Sequence, residues 1–172
     1  WAKKSSNSDK TFPEYLANLQ GSPDNAQINR QEFFESDLLD ISDQAGEPFA
    51  IYFEQSNCRQ CDILHQKVLT QSLVQNQAKQ IKSFQFDMRS NTPVTTVDGR
   101  QITVREFAQD LNVQFSPTVI FFDSTGKEVM RMDGAFKTFH TYGIFRYVNE
   151  IAYLEEPNFQ RYLGALAERL RE

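Results

Sequence analysis

The chain of 172 residues holds only two cysteines and two histidines, and no apolar run long enough to cross a bilayer. Stretches such as PTVIFF (117–122) are far shorter than the roughly 20 residues that a membrane-spanning helix needs. No block of Lys or Arg occurs, and the formal net charge is -5. Binding to nucleic acid through a basic stripe is therefore excluded. Internal repeats and low-complexity segments are also missing. What is present is an ordered globular composition, 40% hydrophobic with 15 Phe, in a length that suits one domain with extensions.

The chain divides into a tether with a short helix at 1–30 and a domain at 31–172. The polar start WAKKSSNSDK begins at Trp1 and reads as a solvated tether left after removal of a secretory signal. A helix is expected at 9–20, closed by the breaker GSPDN. A second is expected from Ser36 to Ala45, with Ser36 and Asp37 as cap and first-turn residues and GEP as its stop.

FAIYFEQ (49–55) is aromatic and β-branched over a strand's length, which predicts a buried strand. The apolar spacing of residues 61–82 predicts a helix broken near 70–72. A second strand follows at 83–88. The segment 89–103 carries the Asp98-Gly99 turn signal of a small hairpin. Thr103 and Glu106 form a capping box for a helix at 104–112. Strands at 118–123 and 128–134 form a hairpin around STGK. Helices follow at 138–154 and 157–170, the latter with Pro157 in its first turn. This order predicts an α/β fold whose mixed sheet is flanked by helices on both faces. The aromatics Phe139, Tyr142, Phe145, Tyr147, Tyr153 and Phe159 recur at helical spacing, as core residues do.

Both cysteines fall in YFEQSNCRQCDILHQKVL (52–69), where a buried strand gives way to a helix. Unpaired N–H groups and the helix dipole favour a thiolate there, which makes Cys58 the nucleophile. Cys61, one turn on, points inward and resolves the mixed disulfide. Arg59 adds a positive charge beside Cys58, in the direction that favours the thiolate.

Zinc is the weaker alternative. Cys58, Cys61 and His65 give three donors in a row, but His140 is the only other histidine and a closed set needs four ligands. An inert disulfide is also weaker, because so short a loop stabilises by only on the order of 2 kcal/mol or less. His65 reads as a partly exposed helix residue.

The run IYFEQSNCRQC, then SFQFDM, then VQFSPTVIFFDSTGKEVMRMDG resembles the thioredoxin superfamily. The resemblance implies the thioredoxin fold with an N-terminal helical extension, an insertion at about 89–103 and an extra C-terminal helix. It implies a cis Pro117 packed beside Cys58, and a Ser116 backbone that pairs with an extended client segment. Together with the insertion and the tail FHTYGIFRYVNEIAYLEEPNFQRYL, the chain resembles the SoxW-like periplasmic thioredoxins.

That resemblance implies a periplasmic thiol-disulfide oxidoreductase without a cofactor or metal. It would be kept reduced by a membrane protein of the DsbD/CcdA type and would act on protein disulfides, with sulfur oxidation as one setting. A client-binding module without turnover and a net oxidant are the alternatives. Against the thioredoxin pattern, Asn57 replaces Trp and Arg59-Gln60 replace Gly-Pro, so these three residues give a more polar client-facing surface. Tyr52 stands where thioredoxin has a buried Asp. Glu54, on the same strand face as Tyr52, is the candidate to exchange a proton with Cys61, against the alternative of an ordinary paired carboxylate.

Overall fold

The computed structural model describes residues 28–35, 40–44 and 46–171. The helix expected at 9–20 and most of the tether lie outside these residues. Strand β1 (Phe49–Glu54) is buried along its whole length, which explains its unbroken apolar run: a strand covered on both faces has no polar side. It pairs in parallel with β2 (Lys82–Asp87) and antiparallel with β5 (Thr118–Phe122), which pairs with β6 (Glu128–Asp133). The four-stranded order is β2-β1-β5-β6. The mixed sheet flanked by helices is the thioredoxin fold.

Alternation along β1 divides the core in two. Phe49, Ile51 and Phe53 join Phe84, Phe107 and Phe122 on one side. Ala50 and Tyr52 join Leu64, Val68, Phe121, Phe145 and Tyr147 on the other. Glu54 shares the parity of Tyr52, so its side chain enters the second layer. The C-terminal aromatics belong to this layer too: Tyr142, Phe145 and Tyr147 are buried, and Phe139, Tyr153 and Phe159 pack against them.

Between β1 and β2 the chain forms α1 (Arg59–Ile63), a π-helical turn (Leu64–Val68) and α2 (Ser72–Ala78). The break falls where the sequence places it. The π turn is closed by the Leu69 N–H donating to the Leu64 carbonyl at 2.8 Å. The insertion is a two-stranded ribbon of β3 (Pro93–Thr95) and β4 (Gln101–Thr103). Helix α3 (Val104–Asp110) starts from the Thr103–Glu106 capping box. Helices α4 (Thr138–Asn149) and α5 (Phe159–Arg169) complete the fold.

Three expectations are corrected. The helix expected at Ser36–Ala45 is, among its described residues, an Asp40–Thr95 bridge and a single 3-10 turn at Ser42–Gln44. The Ile41 N–H donates to the Thr95 carbonyl, and the buried Ile41 side chain anchors the segment to the ribbon. Tertiary pairing thus replaces local helix bonds. Helix α4 stops at Asn149, because Ile151 takes a left-handed backbone (φ 54°). Pro157 is outside the first turn of α5, which is capped by the Asn158 side chain accepting from the Arg161 N–H at 3.1 Å.

Candidate active site

At the end of β1 the chain turns through Asn57, whose positive φ of 56° suits a short polar side chain that tolerates the left-handed region. This turn presents Cys58 as the residue capping α1. The Cys61 N–H donates to Cys58 Sγ at 3.0 Å, and Sγ atoms of Cys58 and Cys61 are joined in a disulfide. Cys58 is 8% exposed and Cys61 2%. Cys58 is thus the more exposed of the two, and Cys61 the inner one. Asn57, Arg59 and Gln60 are exposed around the pair.

The loop before β5 faces the disulfide. The Ser116–Pro117 peptide bond is cis, and the Pro117 carbonyl accepts the Gly134 N–H at 2.7 Å, which ties this loop to the end of β6. The Ser116 carbonyl oxygen is 3.3 Å from Cys58 Sγ, and the Ser116 hydroxyl is 3.2 Å from Cys61 Sγ. Phe115 beside it is 59% exposed. The structure therefore brings Cys58, Cys61, Ser116 and Pro117 to one place.

Glu54 has other partners. Its carboxylate is completely buried and receives His65 Nε2 at 2.8 and 3.0 Å and Gln85 Nε2 at 2.9 Å. Among the described residues no hydrogen bond links it to Cys61, whose polar neighbour is Ser116. His65 corrects an expectation: it is 1% exposed, not partly exposed. Its Nε2 meets Glu54, and the edge of Phe34 packs on its ring. The π turn and the cover supplied by the N-terminal segment bury a histidine that an isolated helix would leave at the surface.

Sequence reasoning missed His65, Gln31 and Gln85 as partners of Glu54. The available signal was the spacing of four from Cys61 to His65, which puts both on one helix face. Tyr52 adds a further buried polar group. Its hydroxyl has no hydrogen-bond partner among the described residues. Burial first, and the charge of Glu54 second, push its phenol well above the ordinary tyrosine value.

The family model described as "Thioredoxin-like domain" matches residues 36–149. Among solved structures, a thioredoxin-fold protein from Helicobacter pylori is 16% identical. The alignment covers 78% of this chain and 89% of that one at a TM-score of 0.67. Thioredoxin from Fasciola hepatica is 24% identical over 62% of this chain and 86% of its own, at a TM-score of 0.42. The first of these likenesses shows the fold, and neither carries an activity across. Among curated proteins none matches the sequence. With its central two-thirds matched by that family model, the chain belongs to the thioredoxin-like domain family.

Proposed function

We propose that this protein is a periplasmic thiol-disulfide oxidoreductase that reduces disulfides or mixed disulfides of specific partner proteins. The observation that carries the proposal is the Cys58–Cys61 disulfide, its outer cysteine the more exposed of the two and both sulfurs facing Ser116. In the reduced form, the Cys58 thiolate attacks a client disulfide, and one client sulfur leaves as a thiolate. Cys61, having lost its proton, then attacks Cys58 Sγ. The Cys58–Cys61 bond forms, the bond from Cys58 to the client breaks, and the electron pair leaves on the second client sulfur. Two electrons pass from the dithiol to the client. No cofactor takes part.

Asn57, Arg59, Gln60 and Ser116 form the client-facing rim, with Ser116 offering its backbone to an extended client segment. This polar rim favours a chosen client over general disulfide reduction. The ribbon at 93–103 and helix α5 support a SoxW-like subtype. In that setting a membrane thiol reductant of the DsbD/CcdA type returns the pair to the dithiol, and the client is a cysteine-bearing protein of sulfur oxidation or of cytochrome c maturation.

Cys61→Ser tests the cycle. This variant should accumulate a mixed disulfide through Cys58 that dithiothreitol releases, and Cys58→Ser should accumulate none. If the Cys58→Ser/Cys61→Ser double variant still holds a client while neither single variant forms a covalent adduct, the protein is a binding module. A redox titration against the captured client separates net reductant from net oxidant.

A further inference from the structure

The segment 29–35 is bonded to the helix that Cys58 caps, and one amide in it depends on where the ring hydrogens of His65 are. The Asn29 side chain donates to Asp62 Oδ1 at 2.6 Å. Gln31 Nε2 reaches the His65 carbonyl at 3.3 Å and His65 Nδ1 at 3.1 Å. Phe34, itself buried, packs its ring against Tyr52 and His65. The Glu35 N–H donates to the Ser83 carbonyl on β2 at 2.9 Å. The segment thus ties α1, the π turn and the edge of the sheet together.

Donor and acceptor roles follow from the partners. His65 Nε2 meets the Glu54 carboxylate at 2.8 and 3.0 Å. A carboxylate only accepts, so the ring hydrogen is on Nε2 and Nδ1 carries the lone pair. A carbonyl also only accepts, so the Gln31 atom that reaches both the His65 carbonyl and Nδ1 is its NH₂, with one hydrogen for each. Glu54 and His65 are fully buried, and together they hold one negative charge.

An added proton has one favourable place. On the carboxylate its hydrogen-bonding neighbours among the described residues are donors, His65 and Gln85. On Nδ1 it makes His65 a cation against the Glu54 anion, and a paired buried charge costs less than a lone one. The protonated Nδ1 then donates, and it faces the NH₂ of Gln31. Turning the amide over brings its oxygen to Nδ1, but the same oxygen then faces the His65 carbonyl, acceptor against acceptor. Neither orientation of Gln31 satisfies both contacts once the ring is charged, and a buried polar group left unsatisfied is costly.

We propose that residues 29–35 are a pH-released strap, seated on α1 while His65 is neutral and unseated when Nδ1 takes a proton. Protonation of a histidine at an interface works as a switch in this way. Release takes the partner from Asp62, the residue after Cys61, and uncovers the β2 edge at Ser83. Acid thereby loosens the hold on the helix that carries the cysteine pair. Other charged and titratable groups are present on every element around His65. Strand β1 adds Tyr52, β2 adds Lys82 and Asp87, α1 adds Arg59 and Asp62, the π turn adds Lys67, and the strap adds Arg30, Glu32 and Glu35.

Hydrogen exchange of the oxidised protein, followed by NMR from about pH 8 to about pH 5 and expressed as protection so that the intrinsic pH effect cancels, tests the strap. The Phe34 and Glu35 N–H groups, bonded to Gln31 and Ser83, should lose about 10-fold in protection as pH falls. Those of β1 and β5 should keep theirs. His65→Gln, which retains an amide donor toward Glu54 and has no proton to gain, should abolish the loss. Asp62→Asn, which keeps an acceptor for Asn29, should leave it in place. Protection that does not fall in the parent, that falls equally in folded His65→Gln, or that no longer falls in Asp62→Asn overturns the proposal.

The unaltered protein gives a second reading that does not need a variant to fold. In the same titration, His65 Nδ1 should gain its proton at the pH where the Asn29 side-chain amide and the Glu35 N–H shift. Separate midpoints, or a ring that is protonated while the strap signals stay still, overturn it. Both arms use the disulfide form with neither client nor reductant, so their outcome is independent of whether the protein reduces disulfides.

Discussion

The hydroxyl of Ser116 is 3.2 Å from the sulfur of Cys61, across 55 residues of chain. The same hydroxyl approaches Cys58 Sγ at 3.5 Å, so in the dithiol form it can donate to either sulfur as a thiolate. Ser116 is held there from behind, because Pro117 is buried and its carbonyl is bonded to Gly134. A residue with both a carbonyl and a hydroxyl at this position touches the pair from two directions.

Ser116→Ala keeps the carbonyl and removes the hydroxyl. Losing a donor to a charged sulfur should slow alkylation of Cys58 by iodoacetamide at neutral pH by about 3-fold to 10-fold, near the usual strength of one hydrogen bond. Unfolding by urea should be nearly unchanged. An alkylation rate equal to the parent's would show that the hydroxyl does not reach the thiolate.

Tyr52→Phe removes a buried hydroxyl that has no partner among the described residues. Deleting an unsatisfied polar atom while keeping the ring should leave stability unchanged or raise it by about 1 kcal/mol. Thermal unfolding measures this. A loss of stability would reveal a bond to the hydroxyl, with Ser83 as its candidate partner.

The capping box of α3 gives a pH dependence with a definite sign. The Thr103 N–H and then the Thr103 hydroxyl hold the Glu106 carboxyl below its usual value, and the Arg161 side chain followed by the Asn158 N–H does the same for Glu156. A depressed carboxylate stabilises above its unfolded pKa, and that stabilisation is lost as pH falls through the folded value. Urea stability should therefore decline below about pH 4, and Glu106→Gln should make the decline shallower. Thr103→Ala should cost about 1 kcal/mol at neutral pH. A decline as steep in Glu106→Gln as in the parent would rule out this source.

The turn between β5 and β6 touches the insertion. Gly126 has a φ of +81°, and a Cβ there would be 2.7 Å from Val97 Cγ1. Gly126→Ala should cost about 1–2 kcal/mol for the left-handed backbone alone, with the contact adding to it. Adding Val97→Ala should restore the contact part. If the double variant is no more stable than Gly126→Ala, the two turns do not press on one another.

Local features were legible from the chain. The Thr103–Glu106 box acts within one turn, the β1 run is buried on both faces, and the C-x-x-C spacing puts two sulfurs at one helix start. The expected helix at 36–45 was not legible in the same way, because Ile41 and Thr95 are bonded across more than 50 residues and local propensity carries no trace of that pairing. His65 failed for a related reason: burial of a helix face depends on what covers it, here Gln31 and Phe34.

The sequence by itself determined the order of elements from β1 onward, the cysteine pair and the residue that caps its helix, since each follows from neighbours within a few positions. Tertiary structure alone decided that Ser116 rather than Glu54 meets Cys61, and that Glu54 is bonded to His65 instead. Both outcomes depend on how a strand, a loop and a π turn stack against one another. A shift of one residue in that stacking re-aims a side chain by about a third of a turn, which no spacing along the chain records.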